Sequence, residues 1–211
     1  MKNQPLTQTE METEIQFNPF SPEVERVIHT TNSQQEIWTD CIFGGSDANR
    51  AYNLSVSIEF KGNLVLNTFE HALNTLIQRH EGLRSVFSPD GRFMCIYKNV
   101  NFEISHNDFS NLSVSEKEFS KNSLVNEQVN ALFDLVNGPL FRVNLLKIDD
   151  FEYITTLTIH HIVGDGLSID IILEELGTLY SAFLENKEPK LPTPELFSEF
   201  AQRINSFMES S

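Results

Sequence analysis

Two apolar, β-branched runs at residues 140–148 and 153–162 stand either side of Asp149-Asp150, and this pairing constrains the fold more than any other feature of the chain. Long strands separated by so short a polar break read as a hairpin. A third strand is expected over 52–60, where Leu54, Val56, Ile58 and Phe60 alternate with Asn53, Ser55, Ser57 and Glu59. That period of two belongs to a sheet with one buried face. A shorter pair is expected at 83–87 and 93–97, around the turn signal Ser88-Pro89-Asp90-Gly91.

Helices are expected between these strands. Ser33 or Thr31 is placed to cap a short helix in which Trp38 anchors to the core. Asn67 stands three residues before Glu70, a variant capping box for a helix over about 68–80 with Phe69, Leu73, Leu76 and Ile77 on one face. Ser115 and Glu118 open another, with Val125, Val129, Leu132 and Phe133 as its apolar stripe, and Asn137-Gly138-Pro139 stops it. Ser168 caps a helix whose buried face includes Ile169, Ile172, Leu176 and Leu179, and residues 185–194 form a charged, Pro-rich crossover. An amphipathic stretch over about 195–208 follows, through Leu196, Phe197, Phe200, Ile204 and Phe207. Gly44-Gly45-Ser46 reads as loop, and 1–16 as a flexible tail or linker. The order β-α-β-β-α-β-β-α gives an α+β fold, a two-layer sandwich of mixed, largely antiparallel sheet with packed helices.

Composition narrows the partners. With 15 Lys and Arg against 30 Asp and Glu the formal charge is −15, so nucleic acid and anionic membranes are poor partners. No run of 18 apolar residues exists to span a bilayer. Cys41 and Cys95 make neither a disulfide framework nor a metal cluster, and nothing resembles an export leader. The cytoplasm is the expected compartment.

Chemistry concentrates in His160-His161-Ile162-Val163-Gly164-Asp165-Gly166, between a strand and a helix. Successive strand residues point to opposite faces, so one imidazole is free to be structural while the other reaches a site at the strand's end. Histidine suits the removal of a proton from an amine or hydroxyl near neutral pH. Asp165 has two readings: it orients a histidine, or it pairs with an arginine, for which Arg84 and Arg142 are the candidates. No metal site is expected, because the histidines diverge and no third ligand lies at suitable spacing. His29, His71 and His106 read as surface residues.

The segment 160–168 resembles the HHxxxDG motif of the condensation domains of nonribosomal peptide synthetases. Arg79-His80-Glu81-Gly82-Leu83-Arg84-Ser85-Val86-Phe87 resembles their RHExLRTxF motif, with Ser85 for Thr. Residues 31–38 resemble SxAQxRxW, with Glu36 where arginine is usual. Glu36 together with Ala51-Tyr52-Asn53 is similar to the subgroup found where polyketide and peptide modules meet.

The resemblance implies a chloramphenicol-acetyltransferase-like lobe covering about half of a condensation domain: 17–194 as the N-terminal lobe and 195–211 as a crossover toward a C-terminal lobe outside this sequence. It implies amide formation between thioesters carried on the 4'-phosphopantetheine of acyl or peptidyl carrier proteins, with no cofactor bound directly. By the same resemblance His161 is the base or amine-positioning residue and His160 is mostly structural. Asp165 pairs with an arginine, for which Arg84 is the choice, and Gly166 places a backbone N–H near the reacting groups. Arg79, Arg84, Trp38 and Ser168 support the site. A related acyltransferase making an ester or using a soluble acceptor, and a non-catalytic carrier-binding module, are the alternatives.

Overall fold

The computed structural model describes residues 17–100, 102 and 104–209, so the expected tail at 1–16 lies outside the described residues. In chain order the elements are β1 (Val24–His29), α1 (Asn32–Ala51), β2 (Asn53–Lys61) and α2 (Leu66–Arg79). A 3-10 helix (Glu81–Arg84) leads into β3 (Ser85–Phe87), followed by β4 (Phe93–Tyr97), β5 (Ser105–Asp108) and α3 (Val114–Asn130). The chain continues through β6 (Phe141–Asp149), β7 (Glu152–His160), α4 (Gly166–Leu184) and α5 (Phe197–Glu209).

Two sheets result. The larger has the order β2-β7-β6-β5 and the smaller β1-β4-β3. The β6–β7 hairpin is the spine: Phe141 pairs with Ile159 and Val143 with Leu157, and β2 continues that face with Leu54 opposite Ile159 and Val56 opposite Leu157. Helices α2 and α4 cover this face, and Phe69, Leu73, Leu76, Ile172, Leu176 and Leu179 meet the strand residues in one buried cluster. Burying such side chains contributes about 1.5–3 kcal/mol each, an upper bound for a real unfolded state. Among the described residues only β5 joins in parallel, against β6, so the fold is α+β with a mixed, largely antiparallel sheet. A second buried cluster (Ile28, Cys41, Phe87, Met94, Ile162 and neighbours) lies where α1 and the small sheet meet the end of β7.

Several local expectations are corrected. Helix α1 is far longer than a short 31–38 helix and runs through Gly44-Gly45-Ser46, kinking where Gly45 takes φ 64°. Thr31 is its cap, in a reciprocal box with Gln34. Asn67 caps nothing: α2 begins after Val65, whose N–H donates to the Tyr180 hydroxyl instead. For α3 the box is Ser113 with Glu116, two residues before the Ser115 and Glu118 pair. The stripe also fails there, because the helix ends at Asn130 before Leu132 and Phe133 and buries no residue. Residues 81–84 form the 3-10 turn rather than strand. Strands β1 and β5 were not legible, since short runs such as Ser105-His106-Asn107-Asp108 carry no apolar alternation. Helix α5 exists, but it buries Ser198 and Ala201 while Phe200, Ile204 and Phe207 remain exposed.

Candidate active site

Strand β7 ends at His160 and α4 starts at Gly166, so the motif residues 161–165 form the connection. His160 is fully buried, on the strand face opposite Ile159. Its Nδ1 accepts the Ile162 N–H at 3.2 Å, which leaves the proton on Nε2, 3.8 Å from the Cys41 sulfur. Burial, reinforced by the neighbouring His161 and Arg142 charges, pushes its pKa down to about 4. His160 is therefore a neutral structural group that holds the turn. Burial likewise raises the Cys41 thiol to about 11, with Asp40 adding to it, so this contact is between two neutral groups.

His161 is half-buried. Its backbone N–H donates to the Tyr52 carbonyl at 2.8 Å, which anchors the main chain just past the end of β7. Tyr52 borders both rings, with centroids 5.9 Å from His160 and 6.3 Å from His161. The remaining walls of the loop come from the two other motif segments. Gln34, buried on α1, donates from Nε2 to the Ile162 carbonyl at 3.1 Å. Gly82 lies so close to the Val163 carbonyl that an added Cβ would stand 2.7 Å from it. Thus the three motif segments, distant in sequence, converge on residues 160–163.

Asp165 is exposed and caps α4 in a reciprocal box with Ser168: its Oδ1 accepts the Ser168 N–H at 2.9 Å and the hydroxyl at 2.8 Å. Those bonds, chiefly the one from the Ser168 N–H, hold the carboxyl below the usual aspartate range. Ser168 is thus the far side of the box rather than the cap. Gly166 is the first residue of α4, where backbone N–H groups lack intrahelical acceptors.

The expected Asp165–arginine pair does not form among the described residues. Arg84 is buried and its Nη1 bonds Glu25 at 2.7 Å and the Tyr97 carbonyl, on the small sheet. Arg142 lies over the Phe133 ring at 3.8 Å and donates to the Ala131 and Leu132 carbonyls. A guanidinium wants a carboxylate or carbonyl near it, and both arginines find theirs closer in the fold than Asp165. Arg79 grips Glu175 of α4 through two bonds of 3.0 and 3.2 Å, and His80 bonds the same carboxylate at 2.8 Å. Burial pushes the Glu175 carboxyl up, but the bonds from Arg79 and His80 outweigh it and hold the pKa low. Trp38 is half-buried, packs on Gly91 and borders the buried cluster that contains Ile162 of the loop.

A cleft of about 490 Å³ opens beside the loop, lined by Gly82, Leu83, Val163, Ser168, Ile172 and Phe200, and it does not include His161. Among the described residues no group of three His, Cys, Asp or Glu side chains is placed to hold a metal ion, and no helix is long and apolar enough to cross a membrane. Gln34, Gly82 and Tyr52 are the supporting residues that reading the sequence as separate elements missed. Their signal was membership of the quoted segments; their targets lie far off in sequence, on other elements.

The buried neutral His160 makes the fold acid-sensitive in a defined window. Between the unfolded value of 6.5 and about 4 the unfolded chain binds a proton that the native chain refuses. Stability is full above about pH 7 and falls as pH drops through that window, by about 3 kcal/mol at most. Urea unfolding at a series of pH values, read beside the His160 ring resonances, checks this. Native-state protonation of His160 near pH 6.5 would contradict it.

The family model described as Condensation domain matches residues 24–211. A linear gramicidin synthase of Brevibacillus parabrevis is 34% identical over 196 residues, covering 90% of this chain and 2% of its own length. Bacitracin synthase 3 of Bacillus licheniformis is 37% identical over 132 residues, 62% of this chain and 2% of that protein. Among solved structures, the starter condensation domain of rhizomide synthetase superposes with TM-score 0.78 at 19% identity, covering 87% of this chain and 44% of that one. The X-domain in its complex with OxyB from teicoplanin biosynthesis gives TM-score 0.75 at 24% identity, covering 88% and 40%. The chain spans less than half of these solved chains and a few per cent of the synthetases.

Proposed function

Because the chain belongs to the condensation-domain family, we propose that it is the N-terminal lobe of such a domain in a nonribosomal peptide synthetase, with residues 195–211 leading toward a second lobe. The reaction is amide formation between two substrates carried as thioesters on the phosphopantetheine arms of carrier proteins. The acceptor's amine nitrogen attacks the donor's thioester carbon. A C–N bond forms, the C–S bond breaks, the nitrogen loses a proton and the departing sulfur gains one. His161 is the residue that takes or orients that proton, and its neighbours serve to hold it in place.

One observation carries this reading: the three family-like segments meet on the turn 160–163, through Gln34 to Ile162, Gly82 to Val163 and His160 to Ile162. Tyr52 holds the His161 N–H as well, and the His161 ring is left half-buried. Four separate fixings of a four-residue turn suit a group that must be held in one orientation. The N-terminus of α4 at Gly166 follows a few residues on, where N–H groups favour developing negative charge on the thioester oxygen.

The test is an assay with carrier-loaded donor and acceptor, comparing this chain alone with the same chain continued into the rest of its condensation domain. Amide product is expected only from the continued form. Turnover by the isolated chain would overturn the two-lobe reading. A second reading, a non-catalytic partner-binding module, is favoured by the likeness to an X-domain seen in complex with another protein. It predicts carrier binding by the continued form with no amide product.

A further inference from the structure

We propose that Tyr52, held by Asp40, is a positioning residue for the His161 imidazole; this rests on the reading of His161 above. Tyr52 closes α1 and stands one residue before β2. Its phenol donates to Asp40 Oδ2 at 2.7 Å, across twelve residues of helix. The left-handed Gly45 at the kink folds the two arms of α1 so that Asp40 and Tyr52 meet. The ring then presents itself to the motif, tilted at 46° to His160 and edge-on at 72° to His161.

Two features separate this role from general packing. The Tyr52 backbone carbonyl already accepts the His161 N–H, a bond that survives any side-chain replacement at position 52. What the side chain adds is the orientation of the imidazole, not the path of the chain. Second, the Asp40 bond, with burial adding to it, raises the phenol above its ordinary pKa. The hydroxyl therefore remains a donor through the neutral range, which keeps the phenol in the role its bond to Asp40 requires. An aromatic edge against an imidazole has a preferred geometry, so the ring at position 52 favours one orientation of His161. A ring wandering by about 1 Å costs on the order of a hundredfold in a positioned reaction.

Histidine ring spectra of the 211-residue chain and kinetics of the complete condensation domain test this together. Tyr52→Leu is expected to move and broaden the His161 ring signals while the backbone amide spectrum outside the site is kept. In the complete domain it lowers kcat on the order of tenfold to a hundredfold, with little change in KM for the acceptor. Tyr52→Phe and Asp40→Ala each give a smaller loss, and the double variant loses no more than either, because both remove one bond. Asp40→Asn, which keeps an accepting oxygen, restores most of it.

Unmoved His161 signals in a folded Tyr52→Leu chain would overturn the proposal. So would moved signals with kcat intact. A wild-type domain that does not condense sinks the reading of His161 itself, and the ring spectra still decide whether Tyr52 sets its orientation.

Discussion

Replacing His161 by alanine in the complete condensation domain is expected to lower amide formation by roughly 10²–10⁴-fold, the range of a positioned acid or base. The folded structure should be retained. The imidazole is half-buried, and no hydrogen bond to its ring nitrogens links it to the rest of the fold among the described residues. Two of the bonds that fix this turn, His161 N–H to the Tyr52 carbonyl and Ile162 N–H to His160 Nδ1, use backbone donors of 161 and 162, which His161→Ala preserves. His160→Ala provides the contrast. It removes a fully buried ring and strands the Ile162 N–H, so it loses product by losing folded protein. Kinetics paired with urea unfolding separate the two histidines. A His161→Ala domain that forms amide at the wild-type rate would remove this residue from the chemistry. One that is unfolded would show that both histidines are structural.

That division between the histidines was legible in the sequence, because strand periodicity alone sends successive side chains to opposite faces. It did not say which one would be buried. The answer lies in Cys41 and Phe133, which reach His160 from α1 and from the segment before β6, and no local pattern reports such approaches. The β6–β7 hairpin, β2 and the faces of α2 and α4 were legible for the same reason: each is a long run in which apolar spacing decides one buried side. Where an element is short, as β5 is, or has no buried face, as α3 has none, periodicity carries little information and the assignments slipped. The capping errors have a related origin. Ser113 and Ser115 at α3, and Asp165 and Ser168 at α4, are near-equivalent capping candidates, and which of each pair caps depends on where the preceding turn releases the chain. The pairing of Asp165 with an arginine was what the family resemblance implied, the residues themselves leaving open whether it orients a histidine or pairs with an arginine. Arg84 was instead claimed by Glu25 and the Tyr97 carbonyl of the small sheet, whose β1 strand had gone unrecognised.

Glu81→Ala is expected to destabilise the chain by roughly 2–5 kcal/mol, because it strands two buried donors that each cost about 1–3 kcal/mol when unsatisfied. Its carboxylate is fully buried and accepts the Ser198 N–H at 2.7 Å and the Ser198 hydroxyl at 3.1 Å, 117 residues away. Ser198 is the second residue of α5, so this N–H is one of the donors a helix start leaves unsatisfied. Glu81 thus caps α5 from another part of the chain, and its negative charge also opposes the positive end of the helix dipole. Arg26 completes the cluster, 3.8 Å from Glu81 and bonded to the Ser198 hydroxyl at 2.8 Å. Alanine leaves a buried N–H and hydroxyl without their acceptor, while Glu81→Gln keeps an accepting oxygen and should cost about 1–2 kcal/mol. Denaturant unfolding gives the two losses, and hydrogen exchange across 197–209 shows where they fall. Exchange should accelerate there first, because α5 exposes Phe200, Ile204 and Phe207 and has little buried apolar surface of its own to hold it. Unchanged protection in α5 with Glu81→Ala would mean that the helix is held by Ala201 and the small sheet rather than by the carboxylate. The neighbouring residue makes the consequence reach further than α5. Gly82 is the close contact against the Val163 carbonyl, so a 3-10 turn released from Ser198 also loosens one of the supports beneath His161. The carboxylate that starts the last helix and the glycine that admits the histidine loop are adjacent in sequence, and the fold uses one rigid turn for both.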